Sequence, residues 1–424
     1  MRRDGIWTIF ICRKKAAAMK IFKFLLSAFS LNSNCNSNRK SASRGSLIKK
    51  VLTATVLGFL NFYTLSYKIL YLFPQLNNSV KLTDIIQTIY DYGQYIVDLY
   101  FVQKYGGDIA QEYNALYKDI DKILFAYHES VIRTRMVKLV SFFAVVWLTS
   151  TITDFLAWYF SFGIIPPVMF SVAYLFLLIK ILSSLDLTAQ VIGIESRLRV
   201  LGDLVHGCYM TTPDLPVVEN SNICLKDTMN NQNWLYSGDC ERATKMQTDS
   251  RPMKSISCNK SQELVWLSRC YLLMTEQCIF INKMFGVRIL LNSLSLMIDM
   301  IRYTNIAFRT MVGSQQTTYN AGYAPAISSV MRMASCAAVL VSLVQQCEYV
   351  YAQRERTINI IYHMLNIKNT DAELHNAATE LRTLIESRPI YFNMAGFSKL
   401  NYELLVSTVS VVVTYTIIIL QNMN

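Results

Sequence analysis

Thr414-Tyr415-Thr416-Ile417-Ile418-Ile419-Leu420-Gln421-Asn422 closes the last apolar run of this chain. The run begins near residue 401, and about 20 residues are enough for a helix to cross a hydrocarbon layer. At helical spacing Thr414, Ile417, Ile418 and Gln421 share one face. Several copies of that face around an axis would set an apolar ring of Ile beside a polar ring of Gln. An apolar constriction closes a pore by dewetting, and an amide ring coordinates partly hydrated ions. A ring without fixed charge would discriminate weakly among small cations. Composition alone favours the other arrangement, in which the Ile residues face lipid and Gln421 sits in the interface.

Working outward, the 424 residues are 52% hydrophobic and 17% charged, with a mean hydropathy of +0.26. Soluble domains carry nearer a quarter charged residues, so one membrane bundle is expected in place of several soluble domains. Candidate spans lie near 51–73, 83–103, 138–162, 164–185, 285–309, 325–350 and 401–422. The second is interrupted by Asp84, Asp91 and Asp98 at seven-residue spacing. These acids share one helix face, which must look into protein or water and not lipid. A surface amphipathic helix is the other reading of that segment.

Residues 1–50 hold twelve Lys or Arg against one acid, Asp4, so a net +11 of the chain's +12 is local to this arm. The excess argues for a cytoplasmic N-terminus and against nucleic-acid binding. Lys104, Lys118, Lys122, Arg133 and Arg135 lie in the next connection on the same side, and residues 186–284 and 351–400 are also rich in Lys and Arg. The opposite side is poor in Lys and Arg. It contains Asn77-Asn78-Ser79, with Asn77 a glycosylation acceptor. Seven spans then put the C-terminus outside, the inverse of the G-protein-coupled receptor layout. The segment Met19–Ser30 lacks a convincing cleavage site and reads as a cytoplasmic arm, although Met19 offers a second start.

The expected organisation is a basic cytoplasmic arm over 1–50, then spans one to four with a cytoplasmic extension of the fourth over 51–210. A polar loop over 211–262 is expected to be disordered. Spans five and six occupy 263–350, and an inner segment followed by the last helix occupies 351–424. The ten cysteines form no Cys-x-x-Cys, and the four His residues show no ligand spacing, so reduced thiols and no metal or other cofactor are expected. No His-Glu-x-x-His, Gly-x-Ser-x-Gly or phosphate-binding Gly-x-x-x-x-Gly-Lys occurs, which weighs against an enzyme.

Three motifs resemble those of insect gustatory receptors, of the seven-transmembrane insect chemoreceptor superfamily. The terminal Thr414-Tyr415, five mostly apolar residues and Gln421 resemble that family's C-terminal signature, except that Asn422 stands where Phe is usual. Asn282, Phe285, Gly286, Leu290 and Leu291 are similar to the start of its fifth span. Gly286 there would let another backbone approach closely. Phe392-Asn393-Met394-Ala395-Gly396-Phe397, with Leu400 and Tyr402, resembles the segment before its last span. The resemblance implies an all-α, seven-transmembrane bundle with inverted topology and cytoplasmic anchor helices, in the plasma membrane. It implies a homo- or hetero-tetramer with related receptors, a ligand-gated non-selective cation channel that detects a small-molecule tastant. Thr414, Tyr415, Ile417, Ile418, Gln421 and Asn422 would line or gate its pore. Arg354, Glu355, Arg356, Glu380, Arg382 and Glu386 would serve the anchor.

Charge inside a membrane marks candidate function. Asp154, Asp299 and Arg332 fall at similar depth in the outer halves of their spans, near Trp158 and Tyr159. Tyr92, Gln94 and Tyr95 from the second span are candidates to join them. Aromatic faces with hydrogen-bonding groups suit a small polar or amphipathic ligand. An Asp–Arg pair that only staples the bundle is the competing account. Two other classes of function compete: a secondary transporter, which would show inverted repeats and a broken midplane helix, and a subunit that works only with a co-receptor.

Overall fold

The computed structural model describes residues 18–31, 42–72, 78–106, 129–210, 260–312, 322–366 and 371–421, with scattered positions between 113 and 124. Asn77, Asn422 and the loop over 211–259 lie outside the described residues. The protein is helical almost throughout. A helical stretch over 18–28 precedes α1 (Ala42–Tyr67), which ends in a π-helical turn over Lys68–Leu72. Then follow α2 (Asn78–Tyr105), α3 (Glu129–Phe162), α4 (Ile165–Met210), α5 (Lys260–Met311), α6 (Ala324–Leu365), α7 (Ala372–Ser387) and α8 (Tyr402–Gln421). Among the described residues α3, α4, α5 and α6 are long and apolar enough to cross a membrane, and the spans expected near 51–73, 83–103 and 401–422 overlap α1, α2 and α8. The start of α5 at Lys260 corrects the expected loop boundary, because residues 260–262 are already helical.

Local sequence explains the joints. Gly163, with φ of +82°, lets the chain reverse between α3 and α4, and Pro166 and Pro167 fill the first turn of α4, where a missing N–H costs nothing. Pro325 does the same for α6. Between α7 and α8 a short hairpin pairs β1 (Asn393–Met394) with β2 (Ser398–Lys399). Its turn has Ala395 at φ 54° and Gly396 at φ 83°. The Phe397 amide donates to the Met394 carbonyl at 3.0 Å. Two positive φ values in the centre of the turn are the mark of type I′.

The helices α4, α5 and α6 have 46, 52 and 42 residues. At 1.5 Å per residue they run about 60–80 Å, twice the thickness of a hydrocarbon core. The surplus length forms a lobe of its own. Its core gathers Leu187 to Val205, Leu264 to Phe285, Ile358 to Met364 and Leu374 to Ile385, together with Phe392 and Leu400. A second core lies among the apolar spans.

Outside these cores the usual polarity is reversed. On α3 the exposed residues include Phe142, Val145, Leu148, Ile152 and Leu156, a continuous apolar stripe. On α1, Val56, Phe59 and Phe62 are equally uncovered. Meanwhile Lys68, Lys180, Arg288, Arg302 and Arg332 are buried. Apolar residues outside and charges inside suit a bundle solvated by lipid, where a soluble monomer rarely exposes such patches.

Candidate functional site

Each acid of the α2 heptad has a cation from another helix. Asp84 meets Lys68 at 2.8 Å and Arg302 at 2.5 Å. Asp91 meets Lys180 at 2.7 Å, and Asp98 meets Arg288 at 3.2 Å. The arrangement is a ladder between antiparallel α2 and α5. A step of seven along α2, from Asp84 to Asp91 to Asp98, is matched by a reverse step of seven along α5, from Arg302 to Ser295 to Arg288. Ser295 donates to Asp91 at 2.8 Å, and Gln94 adds a rung to Asn292 at 3.0 Å. Lys180 of α4 bridges Asp91 to Asp299 at 2.6 Å. Paired charges of this kind answer the desolvation cost of burial, which neither partner could meet alone.

A second cluster gathers around Asp154 of α3. Arg332 of α6 pairs with it at 2.9 Å, Tyr174 of α4 donates to it at 2.9 Å, and Ser328 of α6 donates at 3.1 Å. The Arg332 guanidinium also lies 4.6 Å from the Tyr174 ring and 5.2 Å from the Tyr303 ring. Tyr303 faces Arg302 as well, at 5.3 Å, which links this cluster to the Asp84–Arg302 end of the ladder. The five cations and five Asp residues of ladder and cluster balance in charge.

The sequence-derived pocket residues therefore divide. Asp154 and Arg332 are in contact, and buried Trp158 packs on Phe170 at 4.7 Å beside them in a small aromatic core with Tyr174. Asp299 turns to Lys180. Tyr159 is largely exposed. From α2, Gln94 faces Asn292, Tyr92 donates to the Ala54 carbonyl of α1 at 3.3 Å, and Tyr95 donates to the Phe29 carbonyl at 3.0 Å, so none of the three joins Asp154. A cavity of about 10 Å³ lies instead at the Asp98–Arg288 end of the ladder, lined by Ser183, Ser184, Phe285, Arg288, Asn292 and Leu343. That is room for about one water. Sequence reasoning missed Lys68, Tyr174, Lys180, Arg288, Arg302 and Tyr303. Only the α5 cations carried a signal, a heptad that mirrors the acids of α2.

The segment leading into α8 is clamped to α5 and α6. Gly286 packs against the hairpin, where a Cβ would lie 2.9 Å from the Ala395 nitrogen. Asn282 donates to the Tyr391 carbonyl at 2.9 Å and accepts from the Asn393 amide at 3.1 Å. Cys278 donates to the same Tyr391 carbonyl at 3.1 Å, and Tyr271 donates to the Arg388 carbonyl at 2.9 Å. On α6, Tyr351 accepts from the Phe392 amide at 3.1 Å, and Glu348 accepts from the Tyr402 amide at 3.1 Å. Burial pushes the Cys278 thiol and the Tyr271 phenol up to about 12, so both remain donors at neutral pH.

Beyond this clamp α8 is sparsely covered. Thr414, Tyr415, Ile417, Ile418 and Gln421 are all exposed. In the lobe, Arg354 pairs with Glu355 at 2.9 Å, Arg382 with Glu386 at 3.0 Å, and Arg356 with Asp203 of α4 at 2.8 Å. Among the described residues no group of His, Cys, Asp and Glu is arranged to hold a metal.

Long helices with charges inside and lipid-facing apolar stripes define a multi-pass membrane protein. Residues 218–422 match the family model described as 7tm Chemosensory receptor. That match covers just under half of the chain and makes it similar to a family of chemosensory receptors. The fold is similar to that of the insect olfactory receptor OR5 from Machilis hrabei in complex with eugenol. The two share 12% identity, with a TM-score of 0.56 over 96% of this chain and 99% of that one. A second structure of OR5 gives 11% identity and a TM-score of 0.52 over the same shares. No curated protein matches the sequence.

Proposed function

We propose that this chain is a gustatory receptor, a ligand-gated non-selective cation channel of the plasma membrane in which α8 of each of four subunits lines the pore. The observation that carries the reading is the double attachment of α5 and α6. Their outer halves hold Asp299 and Arg332, and their inner ends grip residues 388–402, from which α8 departs. A ligand that competes for the Asp154–Arg332 pair would bias the position of α6. The clamp would pass that bias to α8 as a change between two packed arrangements. The uncovered face of Thr414, Ile417, Ile418 and Gln421 is where neighbouring copies would meet, with Tyr415 at its margin.

The distribution of Lys and Arg supports an N-terminus inside and a C-terminus outside. The lobe of helix extensions then becomes a cytoplasmic anchor, with Arg356–Asp203 and Arg382–Glu386 among its ion pairs. The ligand would be a small molecule, by analogy of fold with the eugenol-bound receptor. Whole-cell recording tests the proposal, using pooled sugars, bitter compounds and amino acids with G-protein signalling blocked. A cation current that survives the block supports a channel, and a response abolished by the block overturns it. Current that appears only with a related receptor co-expressed would assign the chain as a subunit of a heteromer.

A further inference from the structure

The helical stretch over 18–28 is docked on the bundle by one face and open on the other. Phe22 and Leu26 are buried in the core among the spans, at 4% and 3% exposure. Lys49 donates to the Ser27 carbonyl at 2.5 Å and to its hydroxyl at 3.2 Å, and Tyr95 holds the Phe29 carbonyl. The opposite face presents Lys20, Ile21, Lys23 and Phe24, all exposed, with Phe24 at 70% and Ile21 at 59%. At 100° per residue these four occupy an arc of about 160°. Around that arc the order is Lys23, Lys20, Phe24, Ile21, so two ammonium groups lie side by side next to a bulky aromatic and an aliphatic side chain. The stretch sits beside the first residues of α1 and the C-terminal half of α2. It belongs to an arm that carries twelve Lys or Arg and one acid.

We infer that this face is a docking surface for anionic lipid of the adjoining leaflet. Phe24 and Ile21 enter the acyl boundary while Lys20 and Lys23 engage headgroup phosphates and carboxylates. The chemistry is that of an interfacial helix, in which apolar contact and electrostatic attraction act together. Each lysine near a negatively charged surface is worth about a fivefold preference for anionic lipid, lost when salt shortens the screening length. Because Tyr95 and Lys49 tie the stretch to α2 and α1, the headgroup composition of that leaflet would bear directly on the ladder helix. Assignment to the cytoplasmic leaflet rests on the orientation proposed above, whereas contact with anionic lipid does not.

The test uses full-length protein carrying Phe24→Trp in nanodiscs of mixed phosphatidylserine and phosphatidylcholine, with bromine on the acyl chains of one lipid or the other. Wild-type protein supplies the background from its five tryptophans. The expected result is that emission from the introduced indole is quenched several-fold more by brominated phosphatidylserine than its mole fraction predicts. That excess should vanish at about 1 M salt and when Lys20→Gln and Lys23→Gln are added. Equal quenching by both lipids would reduce the face to apolar contact and overturn the inference, as would the absence of quenching. Both nanodisc leaflets have the same composition, so an error in the proposed orientation would leave the result unchanged.

Discussion

Gly286 of α5 and Ala395 of the hairpin are in backbone contact: a Cβ on Gly286 would stand 2.9 Å from the Ala395 nitrogen and 3.3 Å from the Asn393 carbonyl oxygen. Both obstacles are main chain, which cannot rotate away as a flexible side chain would. Gly286→Ala should lower the stability of the solubilised receptor by about 1–3 kcal/mol, and Gly286→Val by more. Thermal melting followed by size-exclusion fluorescence would show it. A Gly286→Val protein that melts with the wild type would mean the hairpin is not seated on α5.

Asp98 and Arg288 are almost entirely buried, at 0% and 1% side-chain exposure. Removing one partner leaves the other charge uncompensated, at a cost of about 3–5 kcal/mol. Asp98→Leu and Arg288→Leu should each reduce the yield of folded receptor sharply, while the double substitution recovers much of it. Losses that simply add in the double variant would show that the two do not interact.

Arg332 and Asp154 bind each other at 2.9 Å, so each reads differently as pocket or as staple. If they serve a ligand, Asp154→Asn and Arg332→Lys should shift the half-maximal agonist concentration about tenfold while leaving maximal current and surface expression intact. An unchanged dose–response curve in both variants would assign the pair to structure alone.

Gln421 lies on the uncovered side of α8 and is exposed. Gln421→Ala should change reversal potentials under mixed-cation conditions, or the open probability, with normal surface labelling. Wild-type currents from this variant would remove Gln421 from the pore.

The clamp has a pH dependence with a definite sign. Cys278 and Tyr271 are pushed by burial from 9.0 and 10.0 up to about 12 each. Their folded values exceed their unfolded ones, so their contribution is whole below about pH 9 and falls away as pH rises towards about 12. Melting temperature measured from pH 7 to 11 should decline above pH 9, and Tyr271→Phe should flatten part of that slope. At pH 8 the Cys278 thiol should resist alkylation in the folded receptor.

The span pattern, the need for α2 to turn its acids inward and the need of Gly286 for a close neighbour were all legible in the sequence. Each rests on residues within one or two helical turns, where spacing along the chain equals spacing in space. Nothing local could tell which backbone would approach Gly286, although the other partner stood in a second motif about a hundred residues away. The same holds for the charges. Asp84, Asp91 and Asp98 announced a polar face, but that Arg288 and Arg302 would answer them, and that Lys180 would take Asp91 and Asp299 together, depends on the register of helices far apart in sequence. Asp154 met Arg332, as the stapling account of that pair required, whereas Tyr92, Gln94 and Tyr95 turned to other neighbours, because residues one to three apart on a helix point in different directions. Composition and helix periodicity determine which side chains must be hidden. Only the packing of whole helices decides what they meet once inside.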